Sequence, residues 1–247
     1  MKTKFKAIIF DLDETVVPSK MEGMPSQAVI DATHKVKKYL KLSTASGRSV
    51  NTCINIWKAL LIEDPCVVSG GSQIINPVNE EIIWEKKLEA GTISKVLEIS
   101  SGHTEKFAVN GTFLNIHDKF PENATIIVVL GVKKERSKEL VEALSELPNV
   151  AVHILPSWID GNSWDIHVTH KQATKKHSIE KLIEILGVKK EEVIGIGDGS
   201  KEMPLFESVG YKVAMGNAVD MLKQSADYIT DTLENDGFAK FLATLDL

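Results

Sequence analysis

The sequence predicts an α/β protein: a doubly wound parallel sheet with a smaller α+β segment inserted into it. The first observation is that short apolar runs alternate with amphipathic helical segments in both terminal parts of the 247-residue chain. The second is that residues 84–165 have a different rhythm, with many strands and only two helices. These patterns predict a core built from residues 1–83 and 166–247, and an inserted unit over 84–165 with an αββαββ-like order.

The N-terminal part of the core begins with the strand KAIIF, a continuous apolar run that is typical of a strand buried on both faces of a parallel sheet. A helix follows, because Val29, Thr33 and Val36 have helical spacing and fall on one face. A second strand, YLKLSTA, ends at the tripeptide SGR. We then expect the helix NTCINIWKALLI and a third strand, PCVVSGG.

The C-terminal part resumes the alternation. The segment KHSIEKLIEILGV is amphipathic, with Gly187 as a helix stop signal. A buried strand, EEVIGIGDG, runs into a turn, and MPLFESVG is a short helix with Pro204 near its start. The segments YKVAMGN and DYIT are predicted to be further short strands.

The middle segment contains the predicted strands IIWEKKL, ATIIVVLGV, VAVHILP and WDIHVT. Its two predicted helices are AGTISKVLEISS and SKELVEALSEL. The segment KFAVNGTFLNI is either one strand or a hairpin about Asn110-Gly111. His167 and His170 are three residues apart in a predicted strand and loop, so they would not share a face and are not expected to form a metal site.

Composition excludes several classes of protein. The formal net charge of -5 argues against nucleic acid as a general partner, because binding to the phosphate backbone needs clustered Lys and Arg. Cys53 and Cys66 have no CxxC spacing, which argues against a disulfide framework or structural zinc. We expect a cytoplasmic protein without a membrane partner, since no apolar run is long enough for a signal-peptide core or a bilayer span. A monomer and a small homo-oligomer are both compatible with the sequence.

Polar and charged side chains follow several predicted strands. Asp11 and Asp13 end the first strand, Ser46 ends the second, Asp198 ends the strand IGIG, and Lys175 opens the helix before it. The carboxyl ends of parallel strands meet at the edge where such folds bind ligands. Adjacent carboxylates at the edge of a core are costly unless a cation offsets them. The alternatives are therefore a solvated turn or a metal site for chemistry on an anion.

Four motifs carry a resemblance to a known family. FDLDET, SGR, the lysine of TKKHSI and GDGSKE, in this order and spacing, resemble the motifs of the haloacid dehalogenase (HAD) superfamily of phosphatases. The inserted segment resembles the caps of the Cof-like sugar-phosphatase branch. The segment SGGSQII is similar to that branch's loop after the third strand, with Gly70 where Asn is usual. The resemblance covers nearly the whole chain.

The resemblance implies a phosphatase that acts on a small phosphorylated metabolite, and we expect a sugar phosphate. Asp11 would attack phosphorus and become an aspartyl phosphate. Asp13 would protonate the leaving alkoxide and then deprotonate the hydrolytic water. Ser46, the Gly47 backbone and Lys175 would bind the phosphoryl oxygens, with Lys175 favoured over its neighbour in the KK pair by the register of the helix.

The resemblance also implies a Mg²⁺ site. Asp198, one oxygen of Asp11 and the backbone carbonyl of Asp13 would hold the ion, which prefers hard oxygen ligands. The chain departs from the family where Lys201-Glu202 replaces the usual Asn-Asp. Glu202 could still reach the ion through a bound water, whereas Lys201 would weaken Mg²⁺ binding if it pointed into the cleft.

Other functions on the same fold are also compatible with the sequence. On the same fold, phosphoglycolate phosphatase and phosphomutase would use the same aspartyl phosphate. A regulatory or binding protein derived from the superfamily, with catalysis weakened by the altered fourth motif, is the non-enzyme alternative. Ser46 could also be a simple N-cap of the following helix rather than a phosphate contact.

Overall fold

The computed structural model describes residues 4–18, 23–89, 91–157 and 162–247, which form thirteen β-strands and eight α-helices. The strands are β1 (Ala7–Phe10), β2 (Lys41–Thr44), β3 (Cys66–Val68), β4 (Gln73–Ile75), β5 (Ile82–Glu85), β6 (Lys106–Val109), β7 (Thr112–Asn115), β8 (Ile126–Val132), β9 (Val150–Pro156), β10 (Trp164–His170), β11 (Val193–Gly197), β12 (Tyr211–Ala214) and β13 (Tyr228–Ile229). The helices are α1 (Gln27–Val36), α2 (Val50–Leu60), α3 (Thr92–Ser100), α4 (Lys134–Ser145), α5 (Lys175–Leu186), α6 (Met203–Ser208), α7 (Asp220–Gln224) and α8 (Gly237–Ala243). Among these helices of the described residues, none is long and apolar enough to cross a membrane.

The chain divides into two compact units. The first contains Met1–Trp84 and Lys175–Leu247, and the second contains Glu85–Thr174. The sequence prediction ended the inserted unit at residue 165, whereas the structure ends it at Thr174. The reason is β10, which pairs with β9 along its whole length and with β8, and therefore belongs to the sheet of the second unit.

The first unit is built on a five-stranded parallel sheet with the order β13-β12-β11-β1-β2. Every residue of β1 and β11 is buried, as expected for the central strands of a sheet covered on both faces. Because all five strands run in one direction, their carboxyl ends meet at one edge. The predicted doubly wound α/β fold is confirmed.

Alternate residues of β1 enter two different cores, which shows that both faces are covered. Ile8 and Phe10 pack in a cluster that includes residues of α1, α2 and α8. Ala7 and Ile9 pack in another cluster with residues of α5. Period-two alternation of this kind places successive side chains on opposite faces of the sheet.

A small three-stranded sheet, β3-β4-β5, in which β3 and β4 are antiparallel, extends the first unit. Its β3 strand lies beside β2, where Ala45 and Val67 form a parallel bridge. The turn from β3 to β4 has positive φ angles at Ser69, Gly70 and Gly71, of 51°, 68° and 107°. Two glycines accept this conformation readily, because they have no Cβ to clash with the backbone.

The second unit is an antiparallel sheet with the order β7-β6-β8-β10-β9. Helices α3 and α4 pack on one face, where their apolar residues share a core with β6, β8 and β10. The element order is αβββαββ, one strand more than the predicted αββαββ-like order. The hairpin turn at Asn110 and Gly111, with φ of 50° and 84°, divides one predicted segment into β6 and β7.

Candidate active site

Asp11 lies at the carboxyl end of β1 in a buried group of charges. Its backbone N–H donates to the carbonyl oxygen of Ile196 at 3.0 Å, which extends the pairing of β1 with β11 by one residue. The Lys175 Nζ atom donates to Asp11 Oδ1 at 3.0 Å and to Glu202 Oε1 at 2.8 Å. The side chains of Asp11, Lys175 and Glu202 are only 9%, 12% and 5% exposed. One ammonium group is thus shared by two buried carboxylates.

Glu202 reaches this group because the turn after β11 contains glycine. Its Oε2 atom accepts a hydrogen bond from the Gly199 backbone N–H at 2.9 Å, so the side chain folds back over the turn. A Cβ atom at Gly197 would lie 2.8 Å from the Cβ of Glu202, and one at Gly199 would lie 2.8 Å from its Oε2. Side chains at these two positions would displace the Glu202 side chain.

Asp198 completes the acidic part of the site. Thr15 Oγ1 donates to Asp198 Oδ1 at 3.0 Å, and the Val219 N–H donates to the Asp198 carbonyl oxygen at 2.8 Å. One carboxylate oxygen from each of Asp11, Asp198 and Glu202 lies within 4.8 Å of the others. We call these three acids together with Lys175 the acid cluster.

The acid cluster carries an excess of negative charge. Burial raises the pKa of Asp11 to about 6; Lys175 opposes this rise and the Glu202 carboxylate adds to it. Burial, with the charges of Glu202 and Asp11, raises the pKa of Asp198 to about 7. Burial alone would lower the pKa of Lys175, but the two carboxylates outweigh it and raise that pKa. The cluster therefore favours binding of a cation.

Asp13, two residues after Asp11, has a separate partner. Arg48 Nη2 donates to Asp13 Oδ1 at 2.7 Å, and Arg48 Nε donates to Oδ2 at 3.1 Å and Oδ1 at 3.2 Å. The hydrogen bonds to Asp13 raise the pKa of the Arg48 guanidinium. We call this ion pair the Asp13–Arg48 pair.

Ser46 lies just after β2 and is 1% exposed. Its Oγ atom accepts from the Arg48 N–H at 3.2 Å, and its own N–H donates to the Val67 carbonyl oxygen at 3.1 Å. The N-cap of α2 is Ser49, so Ser46 is not the cap that the sequence allowed as an alternative. The structure places Ser46 at the same sheet edge as Asp11, with Gly47 exposed beside it.

The two lysines of the KK pair differ in burial and in partner. Lys175 contacts Asp11, whereas Lys176 is half exposed and pairs with Glu207 at 2.9 Å. Lys201 is exposed, so it is not placed among the buried carboxylates.

Two residues of this region were not identified from the sequence. Arg48 is the last letter of the SGR motif, which could have indicated a role in the site. Asn217 donates from Nδ2 to the Glu14 carbonyl oxygen at 2.8 Å and accepts from the Leu233 N–H at 3.0 Å. It thereby holds the turn after Asp13, where Glu14 has a φ of 56°. No signal in the sequence pointed to Asn217.

Comparisons with known proteins show which family this chain is similar to. A sequence model of the haloacid dehalogenase-like hydrolase family matches residues 8–124 and 103–242. The 5-amino-6-(5-phospho-D-ribitylamino)uracil phosphatase YcsE of Bacillus subtilis is 30% identical over 240 residues, covering 95% of this chain and 93% of that protein. Phosphoglycolate phosphatase 1 of Saccharolobus solfataricus is 43% identical over 88 residues, covering 36% of this chain and 39% of that protein. The crystal structure of TM0651 from Thermotoga maritima has a TM-score of 0.80 at 21% identity, covering 98% of both chains.

The fold and the family match define a hydrolase of the α/β class with its charged site at the carboxyl edge of the sheet. The chain belongs to the haloacid dehalogenase-like hydrolase family, and the resemblance carried by its four motifs is confirmed. Within that family it is a phosphatase.

Proposed function

We propose that this phosphatase is Mg²⁺-dependent and hydrolyses a small phosphorylated metabolite through an aspartyl phosphate on Asp11. The observation that supports the proposal most is the acid cluster. It combines a buried carboxylate, an ammonium group at 3.0 Å from it and two further acids, all at the ligand-binding edge of a parallel sheet.

The residues of the acid cluster fit a divalent ion of the Mg²⁺ type. Three carboxylates with one ammonium leave a formal charge of −2 when all are ionised, and the cluster offers the ion carboxylate oxygens, which are hard ligands. Asp11 and Asp198 would hold Mg²⁺ directly, with the backbone carbonyl of Asp13, and Glu202 would contact it through water. When bound, Mg²⁺ supplies positive charge that offsets the repulsion between a carboxylate nucleophile and a phosphate dianion.

The protein's own residues then perform the two half-reactions. An Asp11 oxygen attacks phosphorus, and Asp13 donates a proton to the leaving oxygen as the ester bond breaks. Asp13 next removes a proton from the water that hydrolyses the aspartyl phosphate. The positive charge of Lys175 stabilises the negative charge of the phosphoryl oxygens. Ser46 and the Gly47 N–H bind the same oxygens.

The Asp11→Asn variant tests this mechanism. The amide has the same shape but is a poor nucleophile, so we expect almost no release of inorganic phosphate from p-nitrophenyl phosphate with Mg²⁺. Borohydride reduction of the wild type during turnover, followed by peptide mass spectrometry, should place the acyl phosphate on Asp11. The control is Asp31→Asn, which changes an exposed acid of α1. Substantial turnover by Asp11→Asn would exclude the covalent route.

A sugar phosphate or sugar-alcohol phosphate is the substrate class that we propose. The support is the YcsE relative, whose name describes a phosphorylated ribityl compound and whose match covers nearly all of both chains. A panel of purified phosphorylated metabolites, ranked by kcat/KM with Mg²⁺ and again with excess chelator, tests both substrate class and metal dependence.

Phosphoglycolate phosphatase is the second candidate, because the Saccharolobus relative is more similar over its matched 88 residues. The same panel distinguishes the two candidates: phosphoglycolate would have to exceed every sugar phosphate in kcat/KM. Transfer of the phosphoryl group to a second sugar, without release of inorganic phosphate, would instead indicate a phosphomutase.

We further propose that the second unit is the cap that selects the leaving group. One cross-strand row runs over all five of its strands, through Phe113, Ala108, Val128, His167 and His153. Ala108 and Val128 of this row belong to a cluster separate from the core that α3 and α4 cover. Replacing Phe113 and His153 by Ala should reorder the metabolite panel more than replacing Lys95, an exposed residue of α3, by Ala. An unchanged ranking would contradict this role.

A further inference from the structure

We propose that Arg48 positions the Asp13 carboxylate for proton transfer and thereby determines how well the enzyme releases poor leaving groups. This inference rests on the proposed function, in which Asp13 is the acid and base. It concerns a residue that does not itself take part in bond making, so Arg48 is a positioning residue.

The hydrogen bonds from Arg48 fix the plane of the Asp13 carboxylate. Nη2 binds Oδ1 at 2.7 Å and Nε binds Oδ2 at 3.1 Å, so both oxygens are held by one planar fork. A bidentate guanidinium–carboxylate pair specifies orientation as well as attraction, which a lysine ammonium group does not.

Arg48 is itself fixed by its surroundings. Its side chain is 10% exposed, and Nη1 donates to the Thr52 carbonyl oxygen in α2 at 3.4 Å. Its backbone N–H donates to Ser46 Oγ at 3.2 Å, and its backbone carbonyl accepts from the Ser69 N–H at 2.8 Å. The orientation of Asp13 is therefore determined by α2 and by the loops after β2 and β3.

The fork leaves Asp13 able to carry a proton in a defined direction. Each carboxylate oxygen has two lone pairs; Arg48 donates to Oδ1 from both Nη2 and Nε but to Oδ2 from Nε alone, which leaves one lone pair of Oδ2 unoccupied by Arg48. As the Asp11 oxygen bonds to phosphorus and the ester bond breaks, the proton on Asp13 moves to the leaving oxygen. In the second half-reaction, the water oxygen bonds to phosphorus, its proton returns to Asp13, and the bond between phosphorus and Asp11 breaks. A carboxylate that was free to rotate would less often present a lone pair, or the proton bound there, to the leaving oxygen and to the hydrolytic water.

The leaving group reveals whether positioning matters. A p-nitrophenolate ion leaves without a proton because it is a stable anion, whereas the alkoxide of a sugar phosphate must be protonated as it leaves. Since kcat/KM reports the steps up to transfer of the phosphoryl group, loss of Arg48 should reduce it more for alkyl than for aryl phosphates.

The experiment compares Arg48→Met and Arg48→Lys with the wild type. The substrates are p-nitrophenyl phosphate and the best alkyl phosphate of the metabolite panel, both with saturating Mg²⁺. We expect the ratio of alkyl to aryl kcat/KM to fall at least about tenfold in both variants. The control is Arg136→Met at the chain's other arginine, which is exposed and donates to the Gly102 carbonyl oxygen in the second unit. This control should keep the wild-type ratio.

A double-mutant cycle with Asp13→Ala gives the second readout. If Arg48 acts through Asp13, then Arg48→Met should not lower the ratio further once Asp13 is Ala. Equal losses on both substrates would overturn the proposal, since they indicate a phosphate contact or a fold defect, and so would a further fall in the Asp13→Ala background. If Arg48→Met does not fold, Arg48→Lys decides, because it keeps the charge without the fork. A wild type that hydrolyses no phosphate ester would instead refute the proposed function itself.

Discussion

Asp11 of the acid cluster and Asp13 of the Asp13–Arg48 pair lie two residues apart after β1, but their charges are balanced differently. In the cluster, Asp11 and Glu202 share one ammonium group, and Asp198 adds a third carboxylate. In the pair, one carboxylate meets one guanidinium. The cluster therefore has a net negative charge that a divalent ion can neutralise, whereas the charges of the pair already cancel.

The two arrangements suit different kinds of chemistry. A carboxylate can bind a metal ion only if at least one of its oxygens is not held by a protein cation. Lys175 contacts a single oxygen of Asp11, so this condition is met. A carboxylate that transfers protons needs a fixed direction, which Arg48 supplies to Asp13 through both of its oxygens. Identical side chains on one strand end thus acquire different properties from the cation that each one meets.

The largest effect should come from removing the cation of the cluster. Lys175→Met leaves two buried carboxylates without their ammonium group and removes positive charge from the phosphoryl site. We expect kcat/KM to fall on the order of a hundredfold or more. Lys176→Met is the matched control, because it removes the neighbouring lysine, whose partner Glu207 is exposed. Steady-state kinetics with p-nitrophenyl phosphate measures both, and equal losses would contradict the difference in role between the two lysines.

The second prediction concerns pH and the metal-free protein. The pKa values of Asp11 and Asp198, about 6 and about 7, exceed those of the unfolded chain. The native state therefore binds more protons than the unfolded state between about pH 4 and pH 7, and the free energy of unfolding falls as pH rises through that window. Because Mg²⁺ competes with these protons, it should raise Tm more at pH 8 than at pH 5.

Thermal unfolding in chelator and in excess Mg²⁺, at both pH values, measures this effect. Asp198→Asn removes one of the two titrating groups, so its metal-free Tm should depend less on pH than that of the wild type. The same Mg²⁺-induced shift in Tm at pH 5 and pH 8 would mean that the acid cluster does not bind the ion.

The smallest effects should separate Glu202 from its neighbour. Glu202→Gln removes one charge from the cluster, and we expect the apparent Mg²⁺ affinity to weaken about tenfold. Lys201 is exposed, so Lys201→Asn should change that affinity by less than about twofold. A Mg²⁺ titration of activity measures both variants. A clear gain of affinity in Lys201→Asn would indicate that this lysine does enter the cleft.

Much of the fold could be predicted because its central strands have strong local signals. The apolar runs of β1 and β11, each followed by aspartate, predict that the two acids lie at one edge of the sheet. The sequence does not show where the inserted unit ends, because the pattern of β10 is that of a strand in either unit. Its pairing with β8 and β9 is a long-range contact that a local pattern does not predict.

The site was predictable to the level of motifs but not of contacts. The sequence could not decide between Lys175 and Lys176 except by register, because one residue along a helix changes the direction of a side chain by about 100°. The sequence also does not predict which carboxylate forms the ion pair with Arg48. That choice depends on the loops after β2 and β3, which hold the backbone of Arg48.

The glycine at position 197 has a consequence for how this site can change over generations. A methyl group there would overlap the Glu202 side chain, so alanine at 197 and glutamate at 202 exclude one another. Aspartate at 202 would not relieve that overlap, because the Cβ and Cγ atoms that lie nearest to a Cβ at 197 are also present in aspartate. A lineage could therefore acquire alanine at 197 only by giving up the side chain at 202 or by moving the turn that carries it. Position 197 is thus constrained by the acid at 202 rather than by any contact of its own with a substrate.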